Sequence, residues 1–348
     1  MLQQIYIILN DKIIYKRIYA KGLDDSLFMS IFPKIKQDIY SIHGRELNEY
    51  NFFKSKISYI VDKSVNLIIL FVSGLTDTFN RLKTELYKLK KEFLDYFGDN
   101  LKEQSLSSSM IELINPIIDN SHKNLKPKIS IVGFSGVGKT TITKLIKSEE
   151  IPMQHIPTIT GDVATIKIGN LHFFLWDFAG QEQFNFLWNK FIRESDAVLL
   201  ITDSTLINVE KSKFFLNLIR DEAPYANSVV IANKQDLPTS LPIEKIEDLL
   251  GLKAFSMIAI DPDNKHKMIR IIANLLEINP DMSPLLQPLI ERNKMMDEAQ
   301  IALTQGDYEK TIKIFEKLSD ICLELGDDTL GIGFKEKADK LKNILVSS

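Results

Sequence analysis

The hydrophobic pattern along the chain changes twice, which separates three parts. In the middle part, about 126–280, short apolar runs of strand length alternate with longer stretches of helical period. This alternation is typical of an α/β chain with a mostly parallel sheet. The predicted strands are 128–132, 162–168, 171–177, 197–203, 228–233 and 255–260. Because only Gly169-Asn170 separates the second strand from the third, we expect these two to form an antiparallel hairpin.

The first part, residues 1–98, has a different order of elements. Apolar runs on both sides of Asn10-Asp11 predict a tight β-hairpin, and a helix is expected over about 24–41. Three strand-like runs and a strongly amphipathic helix follow, at 46–54, 57–63, 66–72 and 77–97. The order β-β-α-β-β-β-α predicts an α+β domain.

The remaining segments are a polar connection and a helical end. The connection, 99–125, contains one run at 110–118 that has the length of a short helix, and we place a domain boundary here. The last segment, 283–348, predicts three helices, over about 285–304, 307–325 and from there to about 345. Its stretch QGDYEKTIKIFEKL is similar to the middle of a tetratricopeptide repeat, while a plain three-helix bundle explains the pattern equally well.

Composition narrows the class of protein without naming a function. The 348 residues are 45% hydrophobic and 26% charged, as in globular proteins, and the net charge of −3 gives no field that would recruit nucleic acid. Cys322 is the only cysteine, which fits a reducing compartment, and the five histidines show no metal-ligand spacing.

The longest apolar run, 65–72, is much shorter than the roughly 18 residues of a membrane span. We therefore expect a cytoplasmic protein without a transmembrane segment, in which any contact with a membrane is peripheral or made through a partner.

The first motif with chemical content is ISIVGFSGVGKTTITKLI, which begins at residue 129. Gly133, Gly138, Lys139 and Thr140 fit G-x-x-x-x-G-K-[ST], between an apolar strand and a helical pattern. In such a loop the backbone N–H groups surround a polyphosphate, the lysine contacts the outer phosphates, and the threonine gives an oxygen to Mg²⁺. Further candidate nucleotide contacts in the same stretch are Ser135, Gly136, Val137 and Thr141.

Two more segments supply groups that a γ-phosphate needs. In WDFAGQE, Asp177 is placed to hold Mg²⁺ through water, the Gly180 N–H to meet a γ-phosphate, and Gln181 to orient the attacking water. Thr158, 18 residues after Thr140, is placed to close over Mg²⁺ and the γ-phosphate as a switch. The catalytic candidates are Gln181, Lys139 and Thr158, and the metal candidates are Thr140, Thr158 and Asp177.

The motif NKQD points to guanine as the base. Asp236 offers a carboxylate that accepts hydrogen bonds from the guanine N1–H and 2-amino groups, whereas adenine offers neither donor. Asn233 belongs with Asp236 to the chemistry that guanine needs, and the aliphatic part of Lys234 covers the base.

Together these motifs, in this order, resemble the Ras superfamily of small GTPases over about residues 126–278. The segments GFSGVGKT, PTIT, WDFAGQE, ANKQDLP and LGL are most similar to the Arf and Arf-like branch, with the Rab group next. The resemblance implies a P-loop GTPase fold with a six-stranded, mostly parallel sheet flanked by helices. It also implies GTP/GDP and Mg²⁺ as ligands, slow hydrolysis, and exchange factors, activating proteins and effectors as partners.

Some positions depart from this pattern. The last guanine contact is aligned at Ala259 in MIAID, where the usual Ser-Ala or Cys-Ala pair is missing. Ser135 stands where many Ras relatives carry glycine and Arf relatives carry aspartate. A whole domain also takes the place of the amphipathic N-terminal helix of Arf proteins.

The first part resembles a longin domain in the order of its elements, although profilin-like folds share similar layouts. Longin domains recur in membrane traffic, so the likeness suggests a role in membrane-traffic or cytoskeletal and polarity signalling, and a contact in cis with the GTPase domain. The predicted domains are a longin-like domain, a linker, a small GTPase domain and a helical domain, at 1–98, 99–125, 126–280 and 283–348.

The leading hypothesis is therefore a GTP-hydrolysing switch. Unassisted turnover should be slow, on the order of 10⁻⁴ to 10⁻² per second, because no internal arginine finger is evident and the nearest candidate, Arg193, reads as a helix end. The alternative is a non-catalytic adaptor stabilised by GTP. A third hypothesis, an ATP-dependent enzyme, requires Asp236 to face away from the base.

Overall fold

The structure is a computed structural model that describes residues 1–41, 44–52, 55–98, 108–147, 163–168, 171–176, 192–278 and 283–347. These residues form two compact units, Met1–Pro127 with Leu276–Pro284 and Lys128–Leu275 with Leu285–Ser348. The four domains expected from the sequence remain a prediction.

The first unit contains an antiparallel sheet with the strand order β2-β1-β5-β4-β3. Its strands are β1 (Leu2–Leu9), β2 (Lys12–Ile18), β3 (Leu47–Phe52), β4 (Ser55–Asp62) and β5 (Leu67–Gly74). Asn10 and Asp11 have φ values of 48° and 67°, which is the left-handed conformation that a two-residue hairpin turn requires. The predicted first hairpin is thus confirmed.

Three helices cover the two faces of this sheet: α1 (Asp25–Ile39), α2 (Phe79–Phe97) and α3 (Ser108–Asn124). Helix α1 begins where the Asp24 carboxylate accepts a hydrogen bond from the Leu27 N–H, and Pro33 lies inside it. It packs on one face, while α2 and α3 pack on the other. The buried positions of α2 are the helical stripe expected from the sequence, namely Leu82, Leu86, Leu89, Phe93 and Phe97. The classification of this unit as longin-like remains a prediction.

Helix α3 is longer than the 110–118 run from which it was expected. Ile114 and Ile118 lie one turn apart in this helix, and Leu125 follows its last residue; all three are buried in one core with α2. Burial of this stripe extends the helix through the polar residues on either side of it. The return segment Leu276–Pro284 also belongs to this unit, where Ile278 pairs with Ala20.

The second unit contains a six-stranded sheet in the order β11-β10-β9-β6-β8-β7. The strands are β6 (Lys128–Val132), β7 (Val163–Ile168), β8 (Leu171–Trp176), β9 (Ala197–Thr202), β10 (Asn227–Ala232) and β11 (Ala254–Ser256). All neighbours pair in parallel except β7 and β8, which pair antiparallel as predicted for the second hairpin. Strand β11 is shorter than the expected 255–260, because the chain leaves the sheet after Ser256 and forms part of the site described below.

Helices lie on both faces of this sheet. They are α4 (Lys139–Lys147), α5 (Leu206–Glu222), α6 (Ile243–Leu250) and α7 (Lys265–Leu275). Helices α5 and α6 share a core with alternate residues of β6, β9 and β10, whereas α4 contacts β7 and β8 and α7 contacts β10. This arrangement is that of an α/β fold whose loops at the carboxyl ends of the strands meet at one edge.

Three further helices follow in this unit: α8 (Gln287–Thr304), α9 (Tyr308–Glu324) and α10 (Asp328–Ser347). The Asp307 carboxylate accepts a hydrogen bond from the Lys310 N–H and so caps α9. The three helices share a small core that includes Phe315 and Phe334. Their number and order are as expected, while the choice between a tetratricopeptide-like unit and a simple bundle stays open. Within the described ranges, no helix has the length and apolarity needed to cross a membrane.

Candidate functional site

The loop that links β6 to α4 has the backbone of a phosphate-binding loop. Gly133, Gly136 and Gly138 have φ values of 149°, 79° and 102°, a region that side chains disfavour. A Cβ on Gly133 would lie 2.4 Å from the Ile201 carbonyl oxygen, and a Cβ on Gly138 would lie 2.2 Å from Asn233 Nδ2. The sequence therefore needs glycine at these two positions so that the loop can pass close to its neighbours.

The described part of the chain leaves room next to Gly136. Among these residues, no heavy atom would lie within 4 Å of a Cβ placed there. Ser135, at the same bend, is exposed. A polyphosphate fits this opening, since short loops of successive N–H groups with glycine at positive φ bind anions.

Lys139 is held by the loop that precedes it. Its Nζ donates hydrogen bonds to the carbonyl oxygens of Gly133 and Phe134, both at 2.9 Å, and the residue is only 3% exposed. These bonds place a buried positive charge in the middle of the loop, where it would attract phosphate oxygens. Thr140 is exposed and Thr141 half-buried in the first turn of α4, whose N-terminal end favours anions.

Asn233 connects the phosphate loop to the loops that would hold a base. Its Nδ2 donates to the Val137 carbonyl oxygen, and its Oδ1 accepts from the Ala259 N–H, each at 2.9 Å. Its backbone N–H donates to the Thr202 carbonyl oxygen at 2.8 Å, at the end of β9. Through its side chain and its backbone, one buried asparagine therefore connects the carboxyl ends of β6, β9, β10 and β11.

The other two residues of the NKQD motif lie in the same turn. Lys234 has a positive φ of 60°, and this conformation turns the chain directly after Asn233. Asp236 is exposed, so its carboxylate is accessible to a base that enters the site. The backbone N–H of Gln235 donates to the Met257 carbonyl oxygen at 3.2 Å, which holds this turn against the loop of Ala259.

Ser204 belongs to the site but was not predicted. It is completely buried, has a positive φ of 67°, and donates its hydroxyl to the Asn233 carbonyl oxygen at 2.6 Å. Its position just after the carboxyl end of β9 is a usable signal, because ligand sites of parallel sheets form at that edge. Ser204 thus holds the backbone carbonyl of Asn233, whose side chain contacts Val137.

Arg193 lies far from the phosphate loop. Its carbonyl oxygen accepts a hydrogen bond from Lys128 Nζ at 2.5 Å, at the start of β6. The loop begins at the other end of this five-residue strand, about 13 Å away at the usual rise per residue. The structure therefore gives no support to Arg193 as an internal arginine finger.

Four predicted residues lie outside the described ranges: Thr158, Asp177, Gly180 and Gln181. Their roles remain predictions from the sequence. The described candidates that the fold brings to one edge of the sheet are Gly133, Ser135, Gly136, Val137, Gly138, Lys139, Thr140, Thr141, Asn233, Lys234, Asp236 and Ala259.

Comparisons with known proteins show similarity over the part of the chain that contains this site. Residues 114–276 match the sequence model of the ADP-ribosylation factor (Arf) family. A solved structure of the Arl6 (BBS3) small GTPase from Trypanosoma brucei, with the bound nucleotide analogue GppNp, is 23% identical. That similarity covers 43% of this chain and 97% of the other, with a TM-score of 0.35. The family match supports an Arf-like small GTPase domain over residues 114–276.

Proposed function

We propose that this protein is a guanine-nucleotide switch that binds GTP and GDP and hydrolyses GTP to GDP and phosphate. The observation that supports this proposal most directly is the double contact of Asn233. Its side chain holds the phosphate loop at Val137 and the base loop at Ala259, both at 2.9 Å. A nucleotide has a phosphate end and a base end, and the two sites must be kept at a fixed separation for one ligand to occupy both.

Each residue at the site has a role that its chemistry suits. Lys139 and the loop N–H groups stabilise negative charge on the phosphates, and the Asp236 carboxylate accepts hydrogen bonds from guanine. Thr140 and Thr158, with Asp177 through water, would hold Mg²⁺, which neutralises charge between the outer phosphates when bound. Gln181 would orient the attacking water. Without an arginine supplied by a partner, hydrolysis should be slow.

The choice of guanine is tested by titrating the nucleotide-free full chain with GTP, GDP and ATP in a calorimeter, with Mg²⁺ present. We expect both guanine nucleotides to bind far more tightly than ATP. The variant Asp236→Asn should weaken GDP binding by about 10- to 150-fold, since a hydrogen bond to a charged group contributes about 1.5–3 kcal/mol. The same substitution should leave the weak binding of ATP unchanged.

Asp263→Asn is the matched control, because Asp263 is an exposed carboxylate in the 3₁₀ helix Pro262–Asn264 that follows the base loop. It should bind GDP as the wild type does. Equal affinity of the wild type for ATP and GTP would contradict the proposed specificity. Tight GTP binding without phosphate release over many hours would favour the alternative of an adaptor that only binds the nucleotide.

The proposal also includes a cellular role. The longin-like order of the first unit suggests recruitment in membrane traffic or in cytoskeletal and polarity signalling, with exchange factors, activating proteins and effectors as partners. The three C-terminal helices would act as an adaptor. Any attachment to a membrane would be peripheral and made through such partners.

A further inference from the structure

Among the residues that the structure describes, Arg292 is the largest completely buried side chain. It lies in the first half of α8 with 0% exposure, although arginine is rarely buried unless it is paired. Burial lowers the pKa of the guanidinium from its usual value, while Asp327 counteracts this effect. Burying such a group has a high energetic cost, which must be offset by its hydrogen-bond and ion-pair partners. These partners therefore show which parts of the chain Arg292 connects.

Two of these partners are the last carbonyl groups of α4. Arg292 Nη2 donates to the Ile146 carbonyl oxygen at 2.9 Å, and Nη1 donates to the Lys147 carbonyl oxygen at 3.0 Å. Ile146 and Lys147 are the last two residues of α4 (Lys139–Lys147). The final carbonyl groups of a helix have no N–H donor within the helix and need a donor from elsewhere. A guanidinium at this end also meets the negative pole of the helix. Arg292 therefore caps the C-terminus of α4 from a helix more than a hundred residues away in sequence.

The other partners belong to the C-terminal helices. Nη1 donates to Asp327 Oδ2 at 2.8 Å, just before α10, and Nε donates to the neighbouring Asn293 Oδ1 at 3.3 Å. The Arg292–Asp327 pair is 0% and 3% exposed, respectively, so it is poorly screened by salt. One guanidinium thus joins α4, α8 and α10.

A second connection between these helices and the GTPase-like part is exposed. Lys265 and His266, at the start of α7, contact the Asp297 carboxylate at 3.4 and 3.1 Å, and Asp297 is 53% exposed. Exposed ion pairs contribute little to stability. Arg292 makes the buried connection, and the exposed Asp297 contacts provide a control.

The end of α4 that Arg292 caps is opposite to the end that carries Lys139 and Thr140. The helix has nine residues and is about 13 Å long, too short to bend appreciably between its ends. We propose that Arg292 is a positioning residue for the nucleotide site: by fixing the C-terminus of α4, it makes the helices α8–α10 part of the nucleotide-binding domain. This inference rests on the proposed function and assigns a further role within it.

If α4 is shared in this way, coupling must be reciprocal. A nucleotide that orders the N-terminal end of α4 should stabilise the packing of α8 at its other end. Conversely, loss of the Arg292 contacts should weaken nucleotide binding, by the factor with which the nucleotide strengthens that packing. A residue that only stabilised the helices would affect their melting without responding to the nucleotide.

The test uses the full chain with the double substitution Arg292→Met and Asp327→Asn, which removes both charges together and so leaves no unpaired buried ion. We expect GDP to dissociate about tenfold faster from the double variant, as measured with a fluorescent GDP analogue. Arg292→Lys should give an intermediate rate, because one ammonium cannot reproduce the two-carbonyl contact. The control Asp297→Asn should release GDP at the wild-type rate.

Hydrogen exchange provides a readout that a purely structural role would not change. In the wild type, GDP should slow amide exchange in α8, residues 287–304, and this protection should disappear in the double variant. A wild type whose α8 exchanges equally fast with and without GDP would overturn the proposal, even if the double variant failed to fold. A folded double variant with unchanged GDP release would do the same. Absence of GDP binding to the wild type would instead refute the proposed function, and this inference with it.

Discussion

The substitution Asn233→Ala tests whether the base loop and the phosphate loop are held together by one side chain. In the structure this amide is 3% exposed, and both of its polar atoms are bonded to buried backbone, at Val137 and Ala259. Alanine would remove both bonds and keep the backbone hydrogen bonds of residue 233. The change therefore removes the side chain that joins the two loops, while Lys139 and Asp236 stay in place.

The magnitude follows from the two groups that would lose their partner. The carbonyl of Val137 and the N–H of Ala259 belong to residues that are 0% and 2% exposed, so water would not easily replace the amide. A buried polar group left unsatisfied costs about 1–3 kcal/mol, which gives about 2–6 kcal/mol for the pair as an upper limit. Part of this cost would appear as lower stability, because the contact also exists without a nucleotide. We expect at least about 1.4 kcal/mol to appear in binding, equivalent to a tenfold weaker affinity for GDP.

The assay is calorimetric titration of GDP into nucleotide-free protein, together with thermal unfolding of the same samples. Asn264→Ala is the matched control, since its Nδ2 donates to the Ile258 carbonyl oxygen at 3.2 Å in the same loop and does not reach the phosphate loop. It should lower stability with little effect on GDP affinity. If Asn233→Ala unfolds at a lower temperature but binds GDP as tightly as the wild type, the proposed connection between the loops is wrong.

Two further predictions concern catalysis and pH. Gln181→Leu should slow single-turnover GTP hydrolysis by about tenfold or more without weakening GTP binding, and equal rates would refute the role of Gln181 in orienting water. His122 is buried with its pKa lowered to about 3, and its ring nitrogens contact the Leu2 carbonyl oxygen and the Ser283 hydroxyl. Below about pH 6.5 the unfolded chain binds a proton that the folded chain does not, so this residue should remove about 1.4 kcal/mol of stability per pH unit as the pH falls. Urea unfolding between pH 7 and 5 should show a shallower loss in His122→Gln, and parallel curves would contradict this assignment.

Local pattern and turn chemistry were sufficient to predict much of the fold. Asn10 and Asp11 specify their turn because both residues tolerate a left-handed backbone, and the helical stripe of α2 depends only on its own spacing. The phosphate loop was equally predictable, since glycine and lysine at that spacing rarely occur for another reason. These features are encoded within about twenty consecutive residues.

The contacts that unite distant segments were not predictable in the same way. Arg292 lies in the sequence LIERNKMM, where a charged side chain would ordinarily be assigned to the solvent-facing side of a helix. Its burial depends on Asp327, 35 residues later, and on the carbonyls of Ile146 and Lys147, far earlier in the chain. For Ser204, the position after β9 was a usable signal, but its hydrogen bond was not predictable because the acceptor is the carbonyl oxygen of Asn233, 29 residues later.

Helix α4 connects these observations, because both of its ends are fixed by groups from other parts of the second unit. At its N-terminal end, Lys139 is bonded to the loop carbonyls, and the loop is bonded to Asn233. At its C-terminal end, two carbonyls are bonded to Arg292. A protein that binds α8–α10 and displaces Arg292 would free one end of this helix while leaving the phosphate loop chemically intact. Such a partner would change how long the nucleotide stays bound without touching the nucleotide, which would give the C-terminal helices a role in the proposed switch beyond recruitment.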